Sequence, residues 1–154
     1  MLLRLSRRLG LALGAAVIMS LAVSGVASAD VTHRFSAYSG DQCGYGYTYG
    51  HLTWSATLPA VGVDGAVVDH PADRLFPCRD DGRITVAHFI AYTVSTPVDR
   101  QAARADNSEQ TFTFRLGANT SPSRITHVTV QVCRYSSSAA PDYCGETRTY
   151  RNPT

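Results

Sequence analysis

From Asp30 onward, apolar side chains recur at every second position, and helical spacing is almost absent. Successive residues of an extended strand point to opposite faces, so this period dictates strands with one face turned inward. Val128, Val130 and Val132 alternate with Thr129, Gln131 and Cys133, and Phe112, Phe114 and Leu116 alternate with Thr111, Thr113 and Arg115. Leu52, Trp54 and Ala56 alternate with His51, Thr53 and Ser55. Val61, Val63, Gly65 and Val67 continue the pattern until Val68 disturbs it. The longest run puts Ile84, Val86, His88, Ile90, Tyr92 and Val94 on one face and Thr85, Ala87, Phe89, Ala91 and Thr93 on the other. Neither face is purely polar, which predicts a central strand partly buried on both sides. Weaker runs are Thr32 to Tyr38, Val98 to Arg104 and Glu146 to Tyr150. The one helix-friendly patch, Ala102-Ala103-Arg104-Ala105, is too short to hold a helix by itself.

Turn formers separate the runs: Leu58-Pro59, Asp80-Asp81-Gly82, Thr96-Pro97, Asp106-Asn107-Ser108 and Gly117-Ala118-Asn119. Seven or eight short strands at this spacing predict an all-β, antiparallel two-sheet sandwich, immunoglobulin-like or jelly-roll-like, with a closed barrel as runner-up. Ser136-Ser137-Ser138-Ala139-Ala140-Pro141 reads as a loop tip.

The first 29 residues have another pattern. Arg4, Arg7 and Arg8 lead into the apolar run Leu9 to Val26, which closes on Ala27-Ser28-Ala29. That is the layout of a cleaved secretory signal peptide. Ser6-Arg7-Arg8-Leu9-Gly10-Leu11 partly matches a twin-arginine signal, but Gly10 stands where a bulky apolar residue is usual, so the general export route is favoured. Cleavage after Ala29 leaves a secreted, extracellular domain of 125 residues (154 minus 29) with no second apolar stretch and so no stable membrane anchor. Three of the fourteen basic residues leave with the leader, so eleven arginines face twelve carboxylates, a balance of −1. That charge excludes an electrostatic footprint for nucleic acid.

All four cysteines, Cys43, Cys78, Cys133 and Cys144, lie in the mature part. An even count in an exported chain predicts two disulfides, and Cys43–Cys78 with Cys133–Cys144 is the favoured pairing of the three that are possible. In the chain-entropy model the shorter loop contributes about 3 kcal/mol and the longer about 4. Zinc is disfavoured, because the sequence has no C-x-x-C pair and the expected compartment is oxidising.

Chemistry-bearing motifs are scarce. Gly-x-Ser-x-Gly and His-Glu-x-x-His are absent. Asp64, Asp69, Asp73, Asp80 and Asp81 cluster in sequence without forming a calcium loop, and turn formation accounts for them. A glycosidase pair such as Asp64 and Asp69 has no support from spacing. His88 or His127 could meet an aspartate across a sheet, but each reads as a satisfied strand histidine. No catalytic residue, cofactor or metal is expected. The distinctive segment is Gly44-Tyr45-Gly46-Tyr47-Thr48-Tyr49-Gly50, where Tyr45, Tyr47 and Tyr49 share one parity and can present rings along one face. Cross-strand packing within the sheet explains the same tyrosines. Trp54 has the opposite parity and is expected in the core.

With Gly46-Tyr47-Thr48-Tyr49-Gly50, Val61-x-Val63-x-Gly65 and Val128-x-Val130-x-Val132-Cys133, the mature chain resembles small secreted actinobacterial β-sandwich proteins of unassigned function, over most of residues 40 to 150. That resemblance implies a fold and no activity. The layout is also similar to the two-disulfide chromoprotein apoproteins of that phylum, which carry an apolar ligand, although the cysteine spacing departs from theirs. The leading expectation is a non-enzymatic secreted binding module that takes a glycan or a protein surface on Tyr45, Tyr47 and Tyr49. The alternative is a hydrolase inhibitor presenting the loop Arg134 to Tyr143. A small-ligand carrier or an enzyme ranks below both.

Overall fold

A computed structural model of the 154-residue chain describes residues 29–41, 46–69, 82–117, 124–136 and 139–153. The described residues form no helix and nine strands: β1 (Val31–Tyr38), β2 (Gly46–Trp54), β3 (Val61–Asp69), β4 (Ile84–Thr93), β5 (Thr96–Ala105), β6 (Glu109–Leu116), β7 (His127–Tyr135), β8 (Tyr143–Cys144) and β9 (Arg148–Arg151). Every pairing is antiparallel. One sheet has the order β1-β2-β3-β6; the other runs β5-β4-β7-β8, with β9 also on β7. The all-β, two-sheet expectation holds. The seven or eight expected strands become nine because the two-residue β8 has no hydrophobic period to announce it. The helix-friendly patch Ala102 to Ala105 lies in β5, where pairing with β4 overrides local propensity.

The inner faces make one core. In the first sheet, Phe35, Gly50, Gly65 and Phe112 stand in a single cross-strand row. The two glycines carry no side chain between the flanking rings, and Phe89 of β4, fully buried, packs against both rings. Its ring meets Phe35 edge-on at 5.4 Å, Phe112 at 5.3 Å and Phe114 at 5.2 Å. A Cβ on Gly50 would lie 2.0 Å from the Asp64 carbonyl oxygen, so no larger residue fits there without moving the backbone.

On β4 the buried face is the one with the smaller side chains, Thr85, Ala87, Phe89 and Ala91. Ile84, Val86, His88, Ile90 and Tyr92 turn outward and are half-buried. Both faces are therefore partly covered, as the alternation predicts. Val94 is not part of that face; it sits at the β4–β5 turn with φ 57° and is 79% exposed.

At the end of the sandwich where β3 finishes, the core becomes polar. Arg134 of β7 donates to the Asp69 carboxylate of β3 and to the Thr85 hydroxyl of β4. Both charged side chains are about 1% exposed. The pair crosses from one sheet to the other. Beside it, Gly46 has Arg134 Cδ, Ser39 Oγ and Thr85 Oγ1 each 3.0 Å from where a Cβ would be. Among the described residues one disulfide is present, Cys133–Cys144, joining register partners on β7 and β8 as expected. Cys43 and Cys78 lie outside the described residues.

The free edges are treated differently. Tyr150 of β9 reaches across to the edge strand β1, accepting from Ser36 N at 3.0 Å and donating to Ser36 O at 2.8 Å. Edge β5 carries Pro97 and a register shift at Ala91/Tyr92. Both are devices that blunt unwanted strand pairing.

Removing one partner of the buried pair leaves an uncompensated charge in the core. Arg134→Met or Asp69→Leu alone is expected to cost about 3–5 kcal/mol, and the double variant to regain most of that loss. Urea denaturation of the two single variants and the double variant measures both effects.

Candidate functional site

The strand β2 decides where the tyrosines point. Thr48, Leu52 and Trp54 are buried, so Tyr47, Tyr49, His51 and Thr53 face outward. Trp54 is in the core, as its parity predicts. Tyr45 lies outside the described residues. A third ring comes from β1: Tyr38 is the register partner of Tyr47. The three rings form a ladder with near-parallel neighbours. Tyr38 and Tyr47 centroids are 6.0 Å apart at 30°, and Tyr47 and Tyr49 are 6.0 Å apart at 24°. Tyr38 is 58% and Tyr49 44% exposed, while Tyr47 between them is half-buried. Sequence reasoning missed Tyr38; the signal was the parity of Thr32 to Tyr38 once β1 is paired to β2.

The rings also pack. Val68 and Ala66 are outward positions opposite Tyr47 and Tyr49, yet they are 2% and 3% exposed. Their described neighbours on that face include the two tyrosines. Val68 disturbs the period of β3 because this outward position is covered.

A polar rim surrounds the ladder. Tyr49 donates its hydroxyl to Glu109 Oε1 of β6 at 2.7 Å. Two rows further along the face, Arg34, His51, Asp64 and Thr113 are register neighbours, and His51 Nδ1 lies 3.4 Å from Asp64 Oδ2. The hydrogen bond to Glu109 holds the Tyr49 phenol above its ordinary pKa; desolvation and the glutamate's negative charge push in the same direction. Tyr38 and Tyr49 stand exposed on this face, and shallow hollows beside Asp64, Thr113 and Arg115 lie further along it. The face can stack rings on an apolar surface and offer a carboxylate, an imidazole and a guanidinium at the margin.

The remaining sequence candidates scatter. Asp69 is buried in the ion pair while Asp64 is on the outer face, so the two share no site. No group of three or more metal-ligating side chains exists among the described residues, and Asp73, Asp80 and Asp81 lie outside them. His88 and His127 meet no aspartate among the described residues. His88 Nε2 is 2.9 Å from the Tyr135 hydroxyl. His127 stacks on Tyr92 at 4.6 Å and 4°, with Nδ1 3.1 Å from Thr126 Oγ1. Outward strand positions on β4 and β7 bring these histidines to rings and hydroxyls instead. Desolvation lowers both imidazole pKa values, and for His127 the charge of Arg151 adds to it.

The loop Arg134 to Tyr143 is tied at its base. Besides the disulfide, Asp142 N donates to Arg134 O at 2.8 Å, and Arg83 Nε to Asp142 Oδ2 at 2.7 Å. The Arg83 guanidinium holds Asp142 below the usual carboxylate range, a pull that outweighs its desolvation. Ala139, Ala140 and Pro141 are exposed at the tip.

Comparison with protein-family models, curated proteins and solved structures finds no match to this chain.

Two titrations check the electrostatics. In ultraviolet titration the Tyr49 phenolate is expected to form above pH 10, and Glu109→Gln to move its midpoint back down. The folded protein disfavours protonated His88 and His127, whereas the unfolded chain protonates them near pH 6.5. The unfolded state therefore binds more protons below that pH. Their contribution is complete above about 6.5 and is lost as pH falls through their lowered folded values. Urea midpoints between about pH 7.5 and 5 are expected to fall less steeply in His88→Gln plus His127→Gln than in the wild type.

Proposed function

We propose that the protein is a secreted, non-enzymatic binding module that lays the Tyr38–Tyr47–Tyr49 ladder against the ring faces of a glycan at the cell envelope. The exposure of Tyr38 and Tyr49, on a face with a polar margin, carries this reading. An aromatic ring offers a large rigid contact at small entropic cost, and its hydroxyl stays wet. Sugar rings have apolar C–H faces to stack on such rings and hydroxyls to bond to Glu109, His51 and Asp64. A row of exposed rings along one strand pair suits an extended polymer.

Export and removal of residues 1–29 belong to the same proposal. Asp30 Oδ1 accepts from Ala56 N at 2.9 Å, so the first residue after the expected cut already takes part in the fold. The expected sandwich is immunoglobulin-like or jelly-roll-like; the two-layer arrangement fits either, but the strand orders β1-β2-β3-β6 and β5-β4-β7-β8 differ from the A-B-E-D and C-F-G sheets of immunoglobulin domains.

A second reading, a hydrolase inhibitor, is favoured by the clamped loop Arg134 to Tyr143. Its exposed tip on a cross-linked base is the kind of rigid projection an inhibitor needs.

Sedimentation binding assays with insoluble chitin, cellulose and peptidoglycan test the leading reading. Wild type is expected to bind at least one of them. Tyr49→Ala should weaken that binding about tenfold, the loss of about 1.4 kcal/mol expected for a contributing aromatic. The variant with Ala at Tyr38, Tyr47 and Tyr49 should abolish it. Equal binding by that variant, or no binding to any polymer, refutes the reading. Inhibition of a hydrolase that survives the tyrosine changes and disappears when Cys133–Cys144 is reduced establishes the second.

A further inference from the structure

Edge strand β6 is long and lacks the devices found on the other edges. Eight residues, Glu109–Leu116, pair with β3 on one side, and among the described residues no strand pairs with them on the other. Its exposed backbone rim is a template for another strand. By contrast, β1 is capped by Tyr150, β5 carries Pro97 and a register shift, and β9 has only four residues. The core is also thin at this edge. Phe112 and Phe114, packed against it, are only half-buried.

The side chains of β6 say what fits. Glu109, Thr111, Thr113 and Arg115 point outward, and Phe112, Phe114 and Leu116 inward. Run antiparallel to itself about Phe112, the strand places Glu109 opposite Arg115 of a second copy. Thr111 then faces Thr113, and Phe112 faces Phe112. All of these pairs keep the same face, as antiparallel register requires. Each unlike-charge, threonine and aromatic pair is a favourable cross-strand combination. Both charges are on hand. Arg115 is exposed and makes no ion pair among the described residues. Glu109 is exposed and uses Oε1 for Tyr49, which leaves Oε2 free to accept from an arginine.

We propose that β6 is a homodimerisation edge: two copies join β6 to β6 about a two-fold axis at Phe112, fusing their four-stranded sheets into one of eight strands, locked by reciprocal Glu109–Arg115 pairs. The axis stands perpendicular to the sheet, so both tyrosine ladders lie on one face of the fused sheet. Two sites on one rigid face raise avidity for a repeating polymer. The pairing itself is independent of what the ladder binds.

A single strand pairing is a small interface, so association in the micromolar range is expected. Sedimentation velocity of the mature protein from about 1 µM to about 1 mM should show a monomer–dimer equilibrium. Glu109→Arg or Arg115→Glu alone sets like charges opposite each other and should weaken the dimer at least tenfold. The double swap restores unlike charges and should return the affinity to within about threefold of wild type. Hydrogen exchange on the wild type, which needs no variant, should show β6 amides gaining protection with concentration while β1 amides do not. A protein that stays monomeric throughout, single variants that dimerise like the wild type, a double swap that fails to recover, or unchanged β6 protection each overturns the proposal.

Discussion

The sandwich depends on Phe89 of one sheet packed between Phe35 and Phe112 of the other. A sheet whose inner face carried a side chain at every position would hold the second sheet too far away for a phenylalanine to reach between Phe35 and Phe112. Gly50 and Gly65 face each other on β2 and β3 so closely that a Cβ on either would run into the other strand's backbone, and they leave no side chain in the row between Phe35 and Phe112, where the opposite sheet packs its largest inward ring. Protein interiors pack at crystal density, so a contact of this shape admits one register. A slip of one residue between β2 and β3 would bring Asp64 or Ala66 beneath Phe89 and turn every side chain of the strand over. The outward direction of Tyr47 and Tyr49 is thus settled on the other face of the same two strands.

The Arg134–Asp69 pair fixes the second coordinate. It holds the end of β3 against β7 and β4, one residue beyond Val68. With Asp69 committed inward, Val68 is committed outward, into the row of Tyr38, Tyr47 and Glu109. A buried ion pair gives little net stability over an apolar replacement, but it strongly penalises arrangements that separate its partners. Here such a separation would come from sliding one sheet over the other. The tyrosine ladder therefore rests on a row whose neighbour cannot shift.

Most of the architecture could be read along the chain, because period-two alternation encodes both strand existence and facing. Parity places Trp54 in the core, and Cys133–Cys144 is the pairing favoured for the loop between them. What escaped has physical reasons. A two-residue strand such as β8 has no period. The choice of the Phe89 face of β4 as the buried one goes against side-chain size, since the opposite face carries Ile84, Val86, Ile90 and Tyr92. It is set by the rings of Phe35, Phe112 and Phe114 across the sandwich, which no local window contains. The tyrosine face was legible for Tyr47 and Tyr49, but Tyr38 and Glu109 join it only through pairings with β1 and β6.

The sequence by itself determined that the domain is built of strands and which residues share a face within each strand, and it favoured the Cys133–Cys144 pairing that the structure shows. Those are properties of neighbours along the chain, fixed by backbone geometry. The tertiary structure alone decided which face of β4 is buried, that Asp69 belongs to Arg134, that a tyrosine from β1 completes the ladder, and that no strand among the described residues pairs with the far side of β6. Each of these depends on what a distant strand places alongside, and burial and pairing are settled only when the sheets meet.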